Sequence, residues 1–96
     1  MSRVKASAGD YGVYKGDEAL TVSSTAVGLA SVPTGAVNAL VTNGAEAIRV
    51  RWGTPTASVG HYLNPHSVID LFSSMETVKF IRVGSSDSTI HVTYFG

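Results

Sequence analysis

The chain contains no cysteine, which excludes disulfides, thiolate zinc sites and cysteine nucleophiles and favours synthesis in the cytoplasm. Charged residues are also scarce, at 15% against about 25% in typical soluble domains. Seven basic residues balance seven acidic ones. Without a basic excess to neutralise phosphates, we expect no nucleic-acid partner. Residues 1–12 contain no apolar core of a signal peptide, and no apolar run is long enough for a membrane-spanning helix, so we expect no membrane partner.

No catalytic or metal-binding motif stands out in the chain. The sequence lacks the Gly-X-Ser-X-Gly elbow that carries the nucleophile of many hydrolases. His61 and His66 flank a predicted turn, but their spacing matches no established zinc pattern, and scattered surface or structural histidines explain them better. We therefore expect a protein that is not an enzyme and that needs no cofactor or metal.

Residues 37–52 predict a β-hairpin with Asn43-Gly44 as its turn. Asn-Gly is the strongest short hairpin signal, because both central positions of a type I′ turn need a positive φ. Cross-strand partners share a face, so this register predicts a core face made of Val37, Ala39, Val41, Glu46, Ile48, Val50 and Trp52. The opposite face is mostly polar and carries Arg49 and Arg51.

Short alternating stretches predict further strands, bounded by turn signals. Residues 77–95 predict a second hairpin, in which Val78 and Phe80 share a face with Ile90, Val92 and Tyr94. The remaining predicted strands cover residues 19–24, 25–30, 61–63 and 67–72. Because no helical periodicity is sustained, we expect an all-β fold over residues 19–96, either a single antiparallel β-sandwich or a jelly-roll-like barrel.

Residues 1–18 differ from the rest, because charged residues and glycines dominate there. We interpret them as an extended N-terminal arm that docks on a neighbouring subunit through Tyr11 and Tyr14, since aromatic residues are favoured at interfaces. A loosely ordered terminus is the alternative. On the folded part, Arg49 and Arg51 are the candidate partner contacts, because guanidinium groups pair well with carboxylates.

Several segments, taken in order, resemble small structural proteins of tailed-phage virions. The resemblance covers roughly residues 19–95 and rests on ALTVSSTAVGL (19–29), PTGA (33–36), AIRVRWGTPTASVG (47–60), FIRV (80–83) and TYF (93–95). The acidic turn that usually precedes the glycine of the central segment is shortened here. Residues 1–18 match no part of the family pattern.

The resemblance implies a non-enzymatic component of the phage head. Small β-sandwich proteins of this type include capsid cement or decoration proteins, which sit across capsomer junctions and reinforce the shell. The implied partners are the major capsid protein and other copies of this chain, as a homo-oligomer. The implied location is the virion head, after synthesis in the host bacterial cytoplasm.

Two other functions stay open. The segment IRVRWGTPTAS (48–58) also resembles a hairpin of β-sandwich modules appended to chitobiase-like glycosidases. That similarity implies a carbohydrate- or receptor-binding module of a head or tail fibre, which would contact a surface glycan through Trp52, Tyr62 and His61. The third possibility is a subunit of a tail or connector ring.

Overall fold

The computed structural model describes residues 12–96, and every regular element in that range is a β-strand. Seven of the eight strands lie within stretches that the sequence predicted as strands, and the first begins inside the predicted N-terminal arm. They are β1 (Tyr14–Val22), β2 (Val27–Gly28), β3 (Asn38–Thr42), β4 (Ile48–Trp52), β5 (His61–Leu63), β6 (Val68–Leu71), β7 (Val78–Arg82) and β8 (Ser88–Phe95). Residues 12–96 include no helix long and apolar enough to cross a membrane.

The strands form two antiparallel sheets of four strands each. The first sheet has the order β1-β8-β3-β6, and the second has the order β2-β7-β4-β5. This confirms the all-β, β-sandwich-like fold, and it shows two separate sheets rather than a closed barrel. The jelly-roll arrangement stays a prediction.

The predicted hairpin at Asn43-Gly44 is wrong, because the chain changes sheets there. β3 pairs with β6 and β8, whereas β4 pairs with β5 and β7. Neither Asn43 nor Gly44 has the positive φ that a type I′ turn requires. Instead, Asn43 is buried, and a Cβ on Gly44 would lie 2.4 Å from the carbonyl oxygen of Thr89. The glycine is needed for close approach to a neighbouring strand, not for a left-handed turn.

The second predicted hairpin is wrong for the same reason. β7 belongs to the second sheet and β8 to the first, so the loop between them also crosses the sandwich. Both strands turn the predicted apolar residues inward nevertheless. The side chains Val78, Phe80, Ile90, Val92 and Tyr94 are all fully buried.

The core lies between the two sheets and contains most of the predicted inner face of β3 and β4. Four of its residues, Ala39, Val41, Ile48 and Val50, are buried as expected. Val37, Glu46 and Trp52 are exposed instead. Val37 and Glu46 lie outside the strands, and Trp52 is the last residue of β4, so neighbouring strands do not cover them.

The N-terminal arm was predicted over residues 1–18, and the part from Tyr14 onward forms the first half of β1. β1 pairs with β8 from Tyr14↔Phe95 to Val22↔Ser88, with a bulge between Tyr14 and Gly16. Tyr11 lies outside the described residues. A docking arm therefore stays a prediction.

Candidate functional site

Arg49 and Arg51 lie on the outer face of β4, on either side of the buried Val50. The register of β4 and β7 places Lys79 directly opposite Arg51 on the same face. Three of the seven basic residues of the chain therefore share one outer face of the second sheet. We call Arg49, Arg51 and Lys79 the basic face.

The guanidinium group of Arg49 is fixed by the loop that leaves β4. Its Nε donates to the carbonyl oxygen of Ala57 at 2.9 Å, and Nη1 donates to that of Gly60 at 2.9 Å. Its Cζ also lies 5.3 Å from the ring centroid of Tyr62, within range of a cation–π interaction. Arg51 Nη1 donates to the carbonyl oxygen of Thr54 at 3.1 Å.

These contacts fix the two guanidinium groups of the basic face without neutralising them. The acceptors are backbone carbonyl oxygens, which carry no net charge, whereas Arg82 pairs with the carboxylate of Asp87 at 2.6 Å. The loop itself is ordered by paired hydrogen bonds between Thr56 and Val59 at 3.0 and 3.2 Å. Each guanidinium group has further N–H donors beyond these contacts.

Tyr14 lies on the other side of the sandwich. It is 58% exposed and packs edge-on against Phe95, with the ring centroids 6.5 Å apart. Phe95 follows the buried Tyr94, so this pair is on the outer face of the first sheet. The predicted contact residues within the described chain thus form two separate surfaces on opposite faces.

A cleft opens between the sheets at the edge formed by β5 and β6. Its volume is about 270 Å³, and it is lined by Val50, Trp52, His61, Leu63, Ile69 and Asp70. Trp52 is 43% exposed, and its Nε1 donates to the carbonyl oxygen of Ser73 at 3.0 Å. The His61 ring lies edge-on to the indole, with centroids 6.4 Å apart and an interplanar angle of 75°.

The sequence predicted Trp52 as a residue of the core face and, for the glycan-binding alternative, as a ligand contact, but it did not predict this cleft. Residues of β4 and β5 meet residues of β6 from the other sheet there, and no local pattern predicts that meeting. The only available signal was a tryptophan at a strand end beside a glycine. Of the three predicted glycan contacts, Trp52 and His61 line the cleft, whereas Tyr62 lies under Arg49 on the other face of β5.

Two titratable side chains outside these surfaces, Tyr94 and His91, have carboxylate partners. Tyr94 is buried and donates from its hydroxyl to Glu18, and the same carboxylate accepts from the backbone N–H of Ser31 at 2.9 Å. Burial, and then the hydrogen bond and charge of Glu18, raise the pKa of Tyr94 well above its usual range. His91 lies 3.5 Å from Asp17. Across residues 12–96, no three His, Asp or Glu side chains meet as metal ligands.

Comparison of the chain with protein-family models, with curated proteins and with solved structures gives no match.

Proposed function

We propose that this protein is a non-enzymatic structural component of a tailed-phage virion, most specifically a cement or decoration protein of the head. It binds the assembled shell and stabilises it. Its partners are the major capsid protein and neighbouring copies of itself. The observation that carries this proposal is the placement of Tyr14 and of the basic face on opposite outer faces of the sandwich.

Two opposed contact surfaces suit a protein that lies across a junction. A cement protein has to touch more than one neighbour at once, and a sandwich with contact residues on both outer faces does so without rearranging. The two surfaces also differ in chemistry, since one is aromatic and the other cationic. We therefore assign them to different partners, with the basic face directed at carboxylates of the capsid protein.

The fixed position of Arg49 favours such binding. A free arginine side chain loses rotamer entropy when a partner orders it, and prior ordering lowers that cost. Arg49 is already held by two carbonyl oxygens and the ring of Tyr62. The planar guanidinium can still present further N–H groups to a carboxylate.

Stabilisation of the shell follows from selective binding. A ligand that binds only the assembled lattice adds RT ln(1 + [L]/Kd) to the stability of that state, which is about 2.7 kcal/mol per site at 100 times Kd. Simultaneous engagement of two surfaces raises the effective affinity further. Many copies on one shell would make disassembly markedly less favourable.

The test is co-sedimentation of the purified protein with expanded heads that lack it, followed by thermal disruption of the shells. Arg51→Gln is the informative variant, because Arg51 is exposed and has one described hydrogen bond. A charge-assisted hydrogen bond is worth about 1.5 to 3 kcal/mol, so shell affinity should fall roughly 10- to 100-fold. The matched control is Arg82→Gln, which removes the same group where Asp87 already neutralises it.

Binding of the wild-type protein to expanded heads with a raised disruption temperature supports the proposal. The Arg82→Gln protein should bind within about twofold of wild type if the basic face makes the contact. Failure of the wild-type protein to bind heads contradicts the cement function. Equal effects of the two arginine variants contradict the basic face as the contact surface.

A further inference from the structure

We propose that the cleft between β5 and β6 is a binding site for a neutral sugar ring. This goes beyond the shell-binding function and does not depend on it, because the cleft is separate from both contact surfaces. Three features of the cleft favour such a ligand: an aromatic corner, an apolar floor and a polar rim.

The aromatic corner is formed by Trp52 and His61. The hydrogen bond from Trp52 Nε1 to Ser73 fixes the indole, and 43% of the side chain remains exposed. The imidazole stands edge-on to it at an angle of 75°. An indole held in one orientation can stack on the C–H face of a pyranose without losing rotamer entropy on binding.

The floor and the rim differ in polarity. Val50, Leu63 and Ile69 supply aliphatic groups, whereas the imidazole of His61 supplies the polar group of the rim. The two ring nitrogens of the His61 imidazole can form hydrogen bonds with ligand hydroxyls. A pyranose has this same combination of an apolar C–H face and a hydroxyl-bearing edge.

Other occupants fit the cleft less well. A purely apolar side chain would desolvate the polar rim without replacing its hydrogen bonds with water. A cation would lose hydration against an aliphatic floor. The volume of about 270 Å³ lies below the roughly 300 to 1,000 Å³ of pockets for drug-sized ligands, and this suits a single ring.

The chain provides its own reporter, because Trp52 is its only tryptophan. Fluorescence of the full chain can be titrated with methyl α-D-glucopyranoside, methyl β-D-galactopyranoside and N-acetylglucosamine. N-acetyl-leucinamide and tetramethylammonium serve as the apolar and cationic probes. For a ligand of this size in an open cleft, we expect a saturable response with a Kd on the order of 1 mM.

Two variants separate the cleft from the rest of the surface. His61→Ala should weaken sugar binding by about tenfold, since it removes one side of the corner and a hydrogen-bonding group. Tyr62→Ala changes an exposed aromatic residue of the same strand that faces away from the cleft, and binding should stay within about twofold of wild type. Chemical-shift mapping of the wild-type protein should place the largest changes at the Trp52 indole N–H and at Leu63.

At least one sugar that binds saturably and shifts these signals supports the proposal. It is overturned if no sugar gives a saturable response, if N-acetyl-leucinamide or tetramethylammonium binds more tightly than every sugar, or if Tyr62→Ala loses as much affinity as His61→Ala. The assay uses the isolated protein without heads. Absence of sugar binding would therefore not contradict the shell-binding proposal, and failure to bind heads would not contradict the sugar site.

Discussion

Asn43 connects the two sheets, and we expect its replacement by alanine to be among the most damaging single changes in the fold. Its Nδ2 donates to the carbonyl oxygens of Glu46 at 2.8 Å and Asn64 at 2.9 Å. Its Oδ1 accepts from the Ser88 hydroxyl at 2.9 Å. The side chain thereby ties the end of β3 to the β4 and β5 side of the core and to the start of β8.

The magnitude follows from these three hydrogen bonds. Asn43 is 2% exposed, so water cannot readily replace the lost partners. Each bond contributes a net of about 0.5 to 1.5 kcal/mol, which gives about 2 to 4 kcal/mol for Asn43→Ala. For a domain of this size, where 1 kcal/mol shifts Tm by about 4 to 8 °C, the Tm should fall by roughly 10 to 30 °C.

The assay is urea unfolding followed by far-ultraviolet circular dichroism, with thermal scans in parallel. Asn64→Ala is the matched control, because Asn64 contributes its backbone carbonyl oxygen to the network and its side chain is exposed. It should change the free energy of unfolding by less than about 0.5 kcal/mol. Similar losses in both variants would refute the view that the Asn43 side chain holds the two sheets together.

Three further predictions use the same stability measurements. Tyr94→Phe should lower the free energy of unfolding by about 1 to 2 kcal/mol at neutral pH, because it removes the hydrogen bond to Glu18. Because the pKa of Tyr94 is raised in the fold, its contribution to stability is present below about pH 10 and is lost as the pH rises further. The variant should therefore show a flatter decline of stability at alkaline pH, and an unchanged decline would contradict this assignment. Gly44→Ala should lower the free energy of unfolding by more than about 2 kcal/mol, because a Cβ there would lie 2.4 Å from a backbone oxygen of β8. Gly84→Ala is the control and should be nearly neutral, because no atom lies within 4 Å of the position of its Cβ. Equal effects of the two variants would show that the close approach at Gly44 is absent. Asn38→Leu should raise the free energy of unfolding by about 1 kcal/mol, because the buried Asn38 Oδ1 accepts no hydrogen bond in the described part of the chain. A marked loss of stability would mean that the amide has a partner.

The sequence predicted most of the strands and most of their inward residues because alternation is a local property. Ala39, Val41, Ile48 and Val50 turn inward whether β3 and β4 pair with each other or lie in opposite sheets. The pattern therefore could not distinguish a hairpin from a crossover between sheets. Asn-Gly at positions 43 and 44 favoured the hairpin, but the partners of the Asn43 side chain include residues 64 and 88, which no local signal identifies.

For the contact surfaces, too, the sequence predicted the local features but not those that depend on distant parts of the chain. The outward placement of Arg49 and Arg51 follows from their position beside Val50, and the structure has them on that outer face. The fixing of Arg49 by Ala57 and Gly60 depends on the path of the following loop. The cleft depends on the approach of β6 from the other sheet, so sequence reasoning placed Trp52 in the core.

The most direct test of the central claim is to image virions that contain this protein by cryo-electron microscopy and to locate its density. The proposed function predicts repeated copies on the outer surface of the head shell, seated across capsomer junctions. The basic face should meet carboxylates of the capsid protein there. Density confined to a tail, a fibre or the connector, or none on the particle, would contradict the cement function.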